Sequence, residues 1–160
     1  MIPRKLRRNL KDVVRQLGLG DRSDMHSIQT RLEAIRDRRI TIMELPAMNK
    51  GDVSGFWAYY EDQDVIVHAP PQSTMQLQQI VLHEFAHMLL DHEHAAVSLS
   101  LPLLQLPGIP GTPLMTLGRT NFEDQDEAAA EYLADLLAAT MQNRAVDPPT
   151  DPTGFTKVFG

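Results

Sequence analysis

Residues 81–94, VLHEFAHMLLDHEH, set four histidines and three acidic groups among Val, Leu, Phe, Ala and Met. The apolar positions recur at helical spacing, which predicts a helix buried over most of its surface. Such a helix constrains the rest of the fold, because every buried imidazole or carboxylate needs a partner, and those partners must come from the elements packed around it. Either each histidine finds its own buried partner, or two of them share one ion.

The spacing favours sharing. His83 and His87 are four residues apart, so on a helix they project from one side, one turn or roughly 6 Å apart, and both imidazoles can reach a single tetrahedral ion. Glu84, next to the first, can reach water at that ion, take a proton during attack on a carbonyl and return it to a leaving amine. This His-Glu-x-x-His spacing is that of zinc-dependent peptidases, and the apolar helical context the chemistry needs is present. The chain has no cysteine, so thiolate ligands and disulfides are excluded and histidine and carboxylate must supply the whole site. Zn²⁺ suits this donor set, with Mn²⁺ as the other candidate ion.

A catalytic ion of this kind wants a third protein ligand and one position open to water. Two stretches offer the ligand. Glu93 falls six residues past His87, where some metallopeptidases place it after a sharp turn, but that turn usually needs glycine and Leu90 stands at the corresponding position. The second stretch, NFEDQDEAAAEYLADLLAATMQNR (121–144), reads as a strong helix capped by Asn121. On it Glu127 and Glu131 share a face, with Glu123 one turn earlier. If this helix crosses the first, one glutamate can ligate and the carboxylate one turn on can orient a histidine. The same acids also suit an exposed helix start, where they complement the dipole. The run Ala128, Ala129, Ala130 suggests close approach to another element.

Around these helices, Leu6, Leu10, Val13, Val14 and Leu17 recur at helical spacing and predict a first helix ending near Gly18 and Gly20. A second starts near Ser23 and runs through Ile28, Leu32 and Ile35, packing with the first as a pair. RRITIMEL (38–45) reads as a strand, and GFWAYY (55–60) with DVIVHA (64–69) as a hairpin around the polar EDQ. The expectation is an α+β fold, mainly helical, with a small three-stranded antiparallel sheet packed on the HEFAH helix, which Ser73 or Thr74 caps. An open sheet edge in the GFWAYY hairpin would accept an extended substrate by strand addition. Residues 95–120 hold Pro102, Pro107, Pro110 and Pro113 among leucines and glycines, which forbids a continuous helix and predicts a long loop draped over the core or serving as a lid.

The length of 160 residues and the 42% hydrophobic content suit one domain with a real core. No apolar run is long enough to span a bilayer. The basic N-terminus has no apolar stretch of the signal-peptide kind, so a cytoplasmic location is expected. Residues 1–50 hold 12 Lys/Arg against 6 Asp/Glu, and residues 51–160 hold 3 against 15. The cations Arg4, Lys5, Arg7, Arg8, Lys11 and Arg15 fit the solvated face of an amphipathic first helix better than a nucleic-acid surface.

The motifs together resemble the ImmA/IrrE-type metallopeptidases, which pair an HExxH helix with a downstream helix of the form Glu-x-x-x-(Asn/Asp)-x-x-Ala followed by leucines. The matching stretch here is EAAAEYLADLL, and the order of helices, small sheet, HEFAH and ligand helix is similar over roughly residues 20–140. With the length and the proline content of the C-terminus, this gives a single zincin-like domain over residues 1–143 and a Pro-rich tail over 144–160. The resemblance implies Glu127 as third ligand of zinc, and Glu131, in place of the family's Asn or Asp, as the group orienting a histidine. It further implies a bacterial or phage hydrolase that relieves repression by cleaving a helix-turn-helix transcriptional repressor.

Glu84 is then the general base, with His83, His87 and Glu127 as ligands. His68, His92, His94 and Tyr132 are candidates to steady the oxyanion, and His26 is a surface residue. The alternative is a metal-binding regulatory or toxin-associated partner that does not cleave. No direct nucleic-acid or membrane contact is expected.

Overall fold

A computed structural model of the chain describes residues 2–20, 23–46, 48, 54–92, 106–117 and 123–146, with the side chains of 117 and 142–146 excepted. The element order is α1 (Arg4–Leu17), α2 (Met25–Arg36), β1 (Arg39–Glu44), β2 (Gly55–Tyr59), β3 (Gln63–His68), α3 (Thr74–Leu89), β4 (Met115–Leu117) and α4 (Asp124–Val146). The class is α+β, as expected.

Local chemistry sets the helix ends. Gly18 closes α1 in the left-handed region at φ 61°, where glycine has no steric cost. Asp24 caps α2 in a reciprocal box with Ser27. Ser73 caps α3 by accepting from the Gln76 amide at 3.0 Å. α4 continues to Val146, three residues into the segment assigned to the tail; Asn121, its expected cap, lies outside the described residues. α1 and α2 do not form the expected pair. α1 lies mainly against α4, and α2 against α3 and β1, so Leu10, Leu17, Ile28 and Leu32 meet in one shared core.

The sheet departs from the expected three antiparallel strands. It has four, in the order β1-β3-β2-β4, with β1 parallel to β3 and the other pairs antiparallel. The chain between β1 and β2 is long enough to let β1 pass over to the far side of β3, leaving β3, buried along its whole length, inside the sheet. β3 is buried at all six positions, which requires cover on both faces. Ile66 faces the helices with Trp57, while Val65 and Val67 face a second core holding Ala58, Tyr60 and Leu106. Leu106, Ile109 and β4 all belong to the Pro/Leu-rich segment. Its described part is therefore structural cover for the sheet; residues 95–105 and 118–120 lie outside the described ones. A three-residue strand among prolines leaves no periodic signal, which is why β4 is not legible in the sequence.

β2 is consequently interior over Trp57–Tyr59, paired with β3 on one side and β4 on the other. The expected open edge in GFWAYY is absent there. The outer edge of β1 is held at Ile40, whose carbonyl accepts from Gln29 Nε2 and whose amide donates to Glu33 Oε2.

Two features fix α3 against the rest. A Cβ on Gly55 would stand 2.7 Å from Ile80 Cγ2 and 3.1 Å from the Val67 carbonyl oxygen, so only glycine lets α3 press on the start of β2. Asp64, fully buried, accepts from Trp57 Nε1 at 3.0 Å and from Arg36 Nε at 2.9 Å, and Arg36 also donates to the Met88 carbonyl at 3.1 Å. Removing one partner of such a buried pair costs about 3–5 kcal/mol, because the other charge stays buried. The network ties α2, the sheet and the last turn of α3 together.

Candidate metal centre

α3 and α4 pack closely, and Ala129 and Ala130, at 5% and 0% exposure, are small buried residues of α4. This approach brings Glu127 over the two histidines of α3. His83 Nε2 is 3.1 Å from Glu127 Oε1, His87 Nε2 is 2.7 Å from Oε2, and the two Nε2 atoms are 3.2 Å apart. The three groups can hold a metal ion. Of the carboxylates left open by the α4 spacing, Glu127 is the one that converges with the histidines, and Glu123 is exposed.

Electrostatics suit a cation. Burial pushes the Glu127 carboxyl up, but hydrogen bonds from His83 and His87 and their Coulombic attraction outweigh it and bring the group to about 2. Burial lowers His87 below its ordinary value, against the opposing hydrogen bond to Glu127. The carboxylate is thus ionised and His87 neutral near pH 7, the protonation states that ligands require.

Glu84 is 5% exposed and lines a cavity of about 630 Å³ between α3 and α4, with His83, Ile80, Glu131 and Asp135. Glu131, expected to orient a histidine, stands on this wall one turn beyond Glu127. The oxyanion candidates are scattered. His68 is buried at the end of β3 with Nδ1 2.9 Å from the Ala69 carbonyl oxygen, and Tyr132 packs against the main core. Neither lines the cavity. His94, and Glu93 as alternative third ligand, lie outside the described residues. His26 is exposed, as expected.

His92 has a different place from the expected one. Its Nδ1 lies 2.8 Å from His87 Nδ1, behind the ligand and away from the Nε2 atoms that converge. Its Nε2 is 3.6 Å from Asp126 Oδ1. In the sequence Asp126 is one acid among several at a helix start. The only signal was its position beside Glu127. His92 reaches this place because α3 stops at Leu90 and Asp91 takes the left-handed conformation at φ 56°. The sharp turn thought to need glycine is made by aspartate, which tolerates that region better than most residues.

No protein-family model, curated protein or solved structure matches the chain. Among the described residues, no helix is long and apolar enough to cross a membrane. Function has to be read from the site's own chemistry.

Proposed function

We propose that the protein is a zinc-dependent metallopeptidase, with His83, His87 and Glu127 as ligands and Glu84 as general base. The observation that carries this reading is the convergence of two imidazole nitrogens and one carboxylate at 2.7–3.2 Å from one another, beside a buried glutamate on a cavity wall. A tetrahedral ion with bonds of about 2.0–2.1 Å holds its ligand atoms about 3.3 Å apart, so small adjustments fit this donor set to zinc. Among the described residues three groups converge, and three protein ligands with a fourth position left for water are what catalytic sites use.

When bound, zinc polarises a carbonyl as a Lewis acid and makes water a stronger nucleophile near neutral pH. The chain's own residues do the rest. Glu84 accepts a proton from the attacking water and delivers it to the departing amine, so the peptide C–N bond breaks without releasing a free amide anion. The low exposure of Glu84 keeps bulk water from competing for that proton. The cavity between α3 and α4 takes the peptide beside it.

The resemblance to ImmA/IrrE-type enzymes supports a helix-turn-helix repressor as the substrate, cleaved to relieve repression. Glu84→Gln tests both levels. The variant is expected to keep metal and fold while new protein N-termini, mapped by mass spectrometry in cells expressing the wild type, disappear. Termini that persist with the variant would refute the peptidase. A wild type that yields none, yet retains metal and captures a repressor intact, would favour a binding partner without turnover.

A further inference from the structure

A histidine that ligates through Nε2 must carry its proton on Nδ1. Glu127 alone works against this. Its Oε2, 2.7 Å from His87 Nε2, invites a proton onto the atom that should present a lone pair. A counterweight on the Nδ1 side is therefore needed, and α3 supplies one through the turn that follows it.

His92 Nδ1 stands 2.8 Å from His87 Nδ1, the rings inclined at 62°. A contact of that length between two nitrogens requires one N–H and one lone pair. Which nitrogen donates is decided on the far side of His92, where Asp126 Oδ1 is 3.6 Å from Nε2. That is too long for a direct hydrogen bond, but it is near enough for the carboxylate to favour a proton on Nε2. A neutral imidazole holds one proton, so His92 then offers a lone pair at Nδ1 and His87 must donate to it. The reverse order would place the His92 proton beside His87 Nδ1 and drive the His87 proton to Nε2, where it blocks ligation.

We propose that His92, polarised by Asp126, is the positioning residue that holds His87 in the Nδ1–H tautomer, so that Nε2 faces the ion with its lone pair. This rests on metal binding at His83, His87 and Glu127. Partners of this kind orient metal-bound histidines, and losing one weakens metal affinity by about 10- to 100-fold. Here the partner is a second histidine whose own tautomer is set by a carboxylate on the helix that carries Glu127.

The test measures Zn²⁺ affinity by competition with a chromophoric chelator at pH 7.5. His92→Phe is expected to weaken binding about 10- to 100-fold. His92→Asn, which puts a carbonyl oxygen near the place of Nδ1, is expected to restore it. Asp126→Asn is expected to weaken binding in the wild-type background and to have no further effect on His92→Asn. Unchanged affinity in His92→Phe, or no rescue by asparagine, would overturn the proposal while leaving the metal site intact. A wild type that binds no zinc would instead overturn the reading on which it rests. Proton–nitrogen correlation spectra of the zinc-loaded wild type, in which the ion displaces any proton from His87 Nε2, give a check that does not depend on any variant folding: His92 is expected as the Nε2–H tautomer, and an Nδ1–H tautomer would contradict the relay.

Discussion

The groups at the centre of the site differ in what they ask of their surroundings. Glu127 needs cations or hydrogen-bond donors, and has two imidazoles. His87 and His92 need to remain neutral, and burial sees to that by pushing both below their ordinary value, for His92 against the attraction of Asp126. This has a pH consequence for the metal-free protein. From about one unit above pH 6.5 both histidines are neutral whether folded or not, and they contribute nothing to the pH dependence. As pH falls below that, the unfolded chain takes up protons that the folded chain resists, so stability drops. Glu127, held at about 2, adds stability that is fully present above its unfolded value near 4.5 and is lost as pH falls toward 2. Urea midpoints of the metal-free protein should therefore fall from pH 7 to pH 5, and less steeply in His87→Asn. A flat or rising profile would contradict the assigned protonation states.

Among the elements, α3 has the least freedom, because its position against β2 and α4 sets the ligand geometry. Gly55 shows how tight the fit is, since any side chain there meets Ile80 on the turn before His83. Gly55→Val should cost about 1–3 kcal/mol by overpacking, read from chemical denaturation, and should weaken metal binding as α3 shifts. Normal stability and affinity would mean that α3 does not depend on this contact. The helices and the β2–β3 hairpin were legible in the sequence because period, caps and turn residues act locally. The parallel pairing of β1 and the existence of β4 were not, because each depends on which strand wins the central position. The site divides along the same line. His83, Glu84 and His87 follow from spacing on one helix, and Glu127 from a resemblance carried by a second. The His92–Asp126 link needed a left-handed aspartate and the crossing of two helices, neither of which any spacing encodes.

At the scale of the whole molecule, the fold serves to clamp α3 and α4 together. The sheet supports one face of α3, the Asp64–Arg36 network pins its last turn, and α1 lies on α4 through a core that includes Leu10 and Leu17. The cations Arg4, Lys5, Arg7, Arg8, Lys11 and Arg15 stand exposed on the other face of this helix. All of this converges on the claim that α3 and α4 jointly hold one metal ion. Elemental analysis of the purified protein, after zinc addition and removal of unbound metal, tests it most directly when the wild type is compared with Glu127→Ala and Glu93→Ala. Near-stoichiometric zinc is expected in the wild type and in Glu93→Ala, and zinc lost or greatly reduced in Glu127→Ala. A wild type without metal, or Glu127→Ala retaining a full complement, would contradict it.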